Sequence, residues 1–523
     1  MAKKGIETQD PTTVTNTSSS RALLRRYETE YFLSTFAIGP PFASFITYVT
    51  FQLQTIGYVI GHAPGEAARS GCLLTATSCR VPFAGSGNVN LASYILYLNA
   101  VIYALSGALM LIISGIGDYV NCQREQYIAQ LIIYGALCLP IATFRGGDLM
   151  AFNVLLGLYV AFNAIGFLAG AWQNIFIPFV MHKSEDLRSS TSQQPLDNSL
   201  ELVVSDPKIA PQNPELARKT IEDGMKMGDW GSNSINGGQV VLYAISIGLT
   251  FVSAVYAGLY TTTASGALCI ILSLIAWRLL PAPEPSSGQI HKGARDWLML
   301  PLTTFALLFR QIWKYPESFK YLLRFTVYND ALFSFSSVTG QLFNLNIRPN
   351  VREFTYYSLT GPATSVISTV VFLYLRPVLK NRIGMTLRHW TILCYAITCF
   401  CALWCAIGIS PSVAVGFKHR WEFYFFQVLQ SISSSIASIA FKVLFSKLFP
   451  QGNETKYFGF QSVFSLGTVW IPQIVNGPIM DAINNLRLPA AISAALFLFC
   501  MVVTLLVDEG KGMRQAGYKS TGD

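Results

Sequence analysis

Apolar stretches long enough to cross a lipid bilayer follow one another along nearly the whole chain, near 31–60, 91–116, 128–144, 150–180, 235–258, 262–280, 319–343, 354–375, 390–409, 423–446, 457–480 and 488–507. A hydrocarbon core about 30 Å thick needs about 20 such residues per helical crossing, because nothing inside it but the segment itself can satisfy the backbone N–H and C=O groups. The pattern predicts an all-α membrane protein with about twelve transmembrane helices.

The polar breaks organise these spans. Residues 1–30 read as a disordered tail without the apolar core of a cleavable signal, so the first span serves as the insertion signal. The stretch 182–234 is rich in Ser, Pro, Asp, Glu and Lys without a sustained apolar period, as expected of a disordered loop. Pro281-Ala-Pro-Glu-Pro-Ser-Ser-Gly288 opens a linker at 281–318. Within it, Trp297 to Tyr315 alternates bulky apolar residues with Arg310 and Lys314, which suits either a helix lying on the membrane surface or an extension of the seventh span. The linker divides the chain into an N-terminal six-helix bundle at 31–280 and a C-terminal one at 319–508, followed by a tail at 509–523. Two six-helix halves joined by a linker are the usual arrangement of the major facilitator fold, in which the halves rock about a site near the midplane.

Composition agrees with lipid as the main solvent, since 52% of residues are hydrophobic and 12% charged. The net charge of +9 arises from Lys and Arg scattered singly between spans, which excludes a nucleic-acid surface and instead reports topology. Assigned to alternate sides, 29 of the 37 fall on the side of the two termini and 8 on the other, so both termini are expected in the cytosol. Of the ten cysteines, Cys394, Cys399, Cys401 and Cys405 share one apolar span and read as packing, with no His placed to complete a metal site. Cys72 and Cys79 fall on the non-cytosolic side, where disulfides persist, and are a candidate pair. No nucleophile, base and orienting group stand at recognisable spacing and no phosphate-binding glycine loop appears, so neither an enzyme nor a cofactor is expected.

Asp330 is the only carboxylate well inside a predicted span, whereas Glu422 stands at the edge of the tenth, where it is expected to reach water. Burying an ionised carboxylate in hydrocarbon costs about 2.5 kcal/mol or more, so Asp330 should face the bundle interior or a wet cavity, as a proton or amine site or as a structural partner of the Arg324 region. In the tenth span Gln427, Gln430 and Ser434 share one helical face, suited either to a solute or to gluing helices together. The fourth span offers Asn153, Asn163, Gln173 and Asn174 under the same two readings, and Trp470 reads as a cover for an apolar group or as a core residue. Between the second and third spans, Gly117-Asp118-Tyr-Val-Asn-Cys-Gln-Arg124 resembles a degraded major-facilitator loop in which Asp118 and Arg124 would form a gating latch, or else a plain solvated turn.

Leu448-Phe449-Pro450-Gln-Gly452-Asn-Glu454-Thr-Lys-Tyr457-Phe458-Gly459 resembles the P-x-G-x-E-x-x-F-F-G stretch of the autophagy-related protein 22 family, the fungal vacuolar amino-acid effluxers. Agreement continues in Tyr315-Pro316, Val327-Tyr328-Asn329-Asp330, Asn174-Ile-Phe-Ile-Pro178, Trp470 and Val507-Asp508-Glu509-Gly-Lys511-Gly, from about Tyr27 to Ala516. The resemblance implies export of neutral amino acids such as leucine, isoleucine and tyrosine from the vacuole lumen to the cytosol. It also makes Tyr328, Asn329, Asp330 and Asn174 site candidates, with protons as the coupling ion to test. The family's first-helix A-S-E-P-F stands here as Ala37-Ile-Gly39-Pro40-Pro41-Phe42, without its acid, and its Gly-Tyr-x-Gly-Gly survives as Ser234-Ile-Asn-Gly237-Gly238. Another small-solute carrier, or a scaffold or sensor that kept the fold, are the competing readings.

Overall fold

The computed structural model describes residues 11–63, 65, 70–72, 79–82, 88–117, 123–192, 214–251, 256–280, 299, 302–303, 305–307, 309–310, 313–448, 454–483, 485 and 487–515. Within them a helix occupies each of the twelve apolar stretches. The first stretch holds α1 (Pro11–Ser44), a π-helical turn (Phe45–Val49) and α2 (Thr50–Ile60). Then come α3 (Leu91–Gly117), α4 (Gln123–Cys138) with a 3-10 turn (Leu139–Thr143), α5 (Leu149–Ser192), α6 (Pro214–Thr250) and α7 (Ala257–Leu279). The second half holds α8 (Pro316–Ile347), α9 (Val351–Ile383), α10 (Leu387–Ile407), α11 (Arg420–Lys447), α12 (Glu454–Thr468), α13 (Trp470–Ile483), α14 (Leu488–Leu506) and a short α15 (Glu509–Gln515).

Among the described residues, nine helices are long and apolar enough to cross a membrane. Of the spans that fall short, α6 and α8 do so because they carry buried polar side chains, Asn233, Gln239 and Ser246 in one and Arg324, Asp330 and Gln341 in the other, whereas the eleventh apolar stretch is divided into two short helices, α12 of 15 residues and α13 of 14. Polar groups at membrane depth belong in the bundle interior, so low hydropathy here marks the inward-facing helices. The α12–α13 break at Val469 has a local cause, since Pro472 has no amide to offer the Thr468 carbonyl four residues earlier.

Each half has its own core. Phe45 and Tyr134 stack on Phe162 at 3.7 and 4.1 Å in the first, while Phe325 stacks on Phe441 at 3.5 Å in the second. The two segments 37–42 and 234–238 meet within the first half, because Gly39 of α1 lies on the Ile235 carbonyl of α6 and Gly238 of α6 lies on the Phe36 carbonyl of α1. A side chain at either position would drive these backbones apart.

Helices overrun the apolar stretches that announce them. α1 begins at Pro11 inside the expected tail, and α5 and α6 extend into the expected 182–234 loop as far as Ser192 and from Pro214. Hydropathy marks where lipid begins, whereas a helix continues into water wherever its backbone bonds allow. Residues 193–213 and 281–298 lie outside the described residues.

The face opposite the N-terminus carries the Cys72–Cys79 disulfide and an antiparallel pair, β1 (Arg80–Pro82) and β2 (Asn88–Asn90), with Val81 opposite Val89. On the same face Glu422 corrects an expectation: it is fully buried instead of reaching water. Its carboxylate accepts from the amides of Lys418 at 2.6 Å, His419 at 3.1 Å and Gly416 at 3.1 Å and from Trp404 Nε1 at 3.4 Å, capping the start of α11.

Candidate functional site at the seam between the halves

α8 of the second half lies along the seam with the first. Asp330, 8% exposed, has the Thr468 hydroxyl at the end of α12 beside its carboxyl, and its Oδ1 has no hydrogen-bond partner among the described residues. Ser334, one turn further along the same face, accepts from Asn476 Nδ2 of α13 at 2.6 Å. From the first half, α3 supplies Tyr103, whose ring is 5.8 Å from that of Phe333, and Asn99, which donates to Ser337 at 3.4 Å and accepts from Tyr159 of α5 at 3.4 Å. Gly107 of α3 meets Gly467 of α12 so closely that an added Cβ would stand 3.2 Å from the Gly467 backbone. The acid therefore sits at a joint between halves, beside a broken helix, which is where transporters of this architecture place ion and substrate groups. Its unmet oxygen suits a proton or an ammonium.

A second polar line crosses the seam between α6 and the helices α9 and α11. Asn236 donates to Ser365 at 2.8 Å, and Ser365 bonds Ser435 at 2.6 Å. Tyr48 bonds Thr355 at 2.9 Å and also Ser246. Nearer the far face, Asn344 donates to Gln54 at 2.8 Å, and Arg352 reaches Thr250 at 3.3 Å while lying over the Phe251 ring at 4.2 Å. At the N-terminal end of the line, Asp229 of α6 is buried and feels the charges of Lys442 on α11 and Arg376 on α9.

The other residues singled out from sequence disperse. Tyr328 is buried inside the second half, stacked on Tyr395 at 4.3 Å, and Asn329 turns to another face of α8 than Asp330. Gln430 donates to Ser336 at 2.5 Å and Gln427 accepts from Tyr357 at 3.3 Å, so this row ties α11 to α8 and α9. Trp470 donates to the Gly467 carbonyl at 2.7 Å across the helix break. Asn153 faces outward, and Asn163 bonds back to Tyr159 O at 2.8 Å. The side chain of Asn174 and the whole of Asp118 lie outside the described residues; Arg124 pairs with Glu125 at 2.6 Å and reaches the Leu280 carbonyl at 3.3 Å, at the end of α7. Arg324 does not pair with Asp330: it lies 3.9 Å from the Tyr321 ring centroid and donates to Thr504 at 3.2 Å.

Sequence reasoning missed four seam residues. Asp229 lies outside the predicted fifth span but inside α6, and Lys442 is a lone cation within the tenth span, a signal lost by assigning it to the adjoining loop. Gln473 and Asn476 gave no signal beyond being amides in an apolar stretch.

Solved structures share this architecture. The human organic anion transporter MFSD10 superposes with a TM-score of 0.57 at 10% identity, covering 92% of this chain and 99% of that one. The E. coli fucose:proton symporter FucP does so with a TM-score of 0.52 at 13% identity, covering 94% and 99%. Fold and seam together define a multi-pass α-helical membrane protein of the major facilitator fold. Residues 25–517 match the family described as "Vacuole effluxer Atg22 like", and the chain belongs to that family. Similar curated proteins include Autophagy-related protein 22 of Candida albicans, 25% identical over 97% of this chain and 94% of its own length. Autophagy-related protein 22-2 of Aspergillus niger is 22% identical over 46% and 41%.

Proposed function

We propose that this protein exports neutral amino acids, leucine, isoleucine and tyrosine among them, from the vacuole lumen to the cytosol, returning products of autophagic degradation. The termini face the cytosol, and Asp330 carries the coupling proton or receives the substrate's amino group. Membership of the effluxer family supports the direction and the compartment. The observation that carries the site is the carboxylate at the seam, with one oxygen unmet and a broken helix beside it. As the halves rock, this position exchanges one face for the other.

Counterflow in proteoliposomes tests the reading. Vesicles loaded with unlabelled leucine should accumulate labelled leucine transiently, and isoleucine or tyrosine should compete. Flat traces for every amino acid would leave a scaffold or sensor, or a carrier of another solute, as the function.

A further inference from the structure

Buried amide groups left without hydrogen-bond partners are costly to keep, and two side chains one turn apart on α13 carry them. Gln473 is fully buried, and neither its Oε1 nor its Nε2 has a hydrogen-bond partner among the described residues. Asn476, 2% exposed, spends its Nδ2 on Ser334, and its Oδ1 is unmet. The Asn476–Ser334 bond pins this face of α13 to the face of α8 that carries Asp330 one turn below Ser334, where Oδ1 is unmet as well. Around one interhelical rung, three oxygens lack a donor and one NH2 group lacks an acceptor.

We infer that Gln473 and Asn476, with Asp330, form the recognition site for the α-ammonium and α-carboxylate of a zwitterionic amino acid. The count matches the chemistry: a primary ammonium has three N–H donors for the three oxygens, and a carboxylate oxygen accepts from Gln473 Nε2. The same groups refuse relatives of the substrate. A trimethylated ammonium brings charge but no donor, a deaminated acid leaves the three oxygens unmet, and an amine without a carboxylate leaves Nε2 unmet. The apolar side chain of the solute has no part in this contact, so the site reads the backbone of an amino acid and tolerates variety beyond it. This rests on the transport reading above and names its substrate chemistry.

The test uses the purified full-length protein in lipid nanodiscs, with leucine as the probe against its N,N,N-trimethyl derivative, 4-methylpentanoate and isoamylamine. Leucine should raise the melting temperature of the wild type, and the three analogues should not. Gln473→Met should weaken the leucine effect tenfold or more in concentration while leaving the ligand-free melting temperature equal or higher, since it removes atoms without a hydrogen-bond partner among the described residues. Asn476→Asp, which keeps the unmet oxygen, should retain more affinity than Asn476→Leu. Gln473→Met that binds leucine within threefold of wild type and melts lower without ligand overturns the assignment and makes the amide structural. A wild type indifferent to every amino acid overturns this assignment together with the transport reading, whereas a responsive wild type with an unaltered Gln473→Met overturns the assignment alone.

Discussion

Replacing Asp330 by asparagine keeps the size of the side chain and its place beside Thr468 but removes the charge. If the carboxylate holds the solute's ammonium, a charge-assisted bond worth about 1.5–3 kcal/mol falls to a neutral one worth about 0.5–1.5. The loss of about 1–2 kcal/mol corresponds to a fall of about 5- to 30-fold in the transport rate at low substrate. If it also carries the proton, the component driven by a pH gradient should vanish. Insertion and folding should be spared, because the neutral amide removes a buried charge whose placement in hydrocarbon costs about 2.5–3.5 kcal/mol. A residue that only ties α8 to its neighbours predicts something smaller, since interhelical hydrogen bonds in membranes average about 0.6 kcal/mol, or about threefold. The measurement is the initial rate of leucine transport by both proteins at matched reconstitution, with and without a proton gradient. Rates within threefold in both conditions would refute the reasoning.

Three further outcomes are expected. Lys442→Met and Asp229→Asn should each impair transport, and exchanging the charges (Asp229→Lys with Lys442→Asp) should restore part of it, with a coupling of about 1–3 kcal/mol in a double-mutant cycle; strictly additive effects would show that the two groups do not act across the seam. Gly107→Val should cost about 1–3 kcal/mol and slow transport, because its side chain meets the Gly467 backbone, while Gly157→Val, with nothing within 4 Å, should be silent in melting and flux; equal effects would remove the seam contact as the cause. Glu317, in the first turn of α8 ahead of the span, accepts from the Asp508 amide at 3.0 Å and from Lys320 at 2.9 Å. Burial pushes its carboxyl up, but these partners and Lys511 outweigh that and hold it below the ordinary carboxylate value. Its stabilisation is therefore complete above the ordinary value and is lost as pH falls through the depressed one, so limited proteolysis at Lys511 and Arg514 should speed up in Glu317→Gln at neutral pH and in the wild type only in strong acid; unchanged cleavage in the variant would detach Glu317 from the docking of α15.

The twelve spans could be read from sequence because lipid imposes one length and one polarity on every crossing. Two of them, α6 and α8, miss the apolarity of a spanning helix because buried polar side chains interrupt them, and that weakness as spans is a clue to their position at the seam. Asp330 was visible because an acid in an apolar stretch needs a reason. Gln473 and Asn476 were not, since an amide becomes conspicuous only when its partners are found to be missing. Glu422 was misjudged for a related reason: its four donors come from three backbone amides and an indole that sequence spacing does not bring together.

The loop between α2 and α3 has a bearing on the working life of the molecule. Its ends are held by the Cys72–Cys79 disulfide, the short β pair and the bridges of His62 to Gly71 and Arg80. In the proposed orientation this loop faces the compartment where proteins are taken apart. A protease must draw several residues of substrate into an extended strand, and backbone already clasped at this many points yields to that only after local unfolding. In that orientation the fastened residues of this loop would present a digestive lumen with backbone already held in place, favouring a protein that outlasts the cargo broken down beside it.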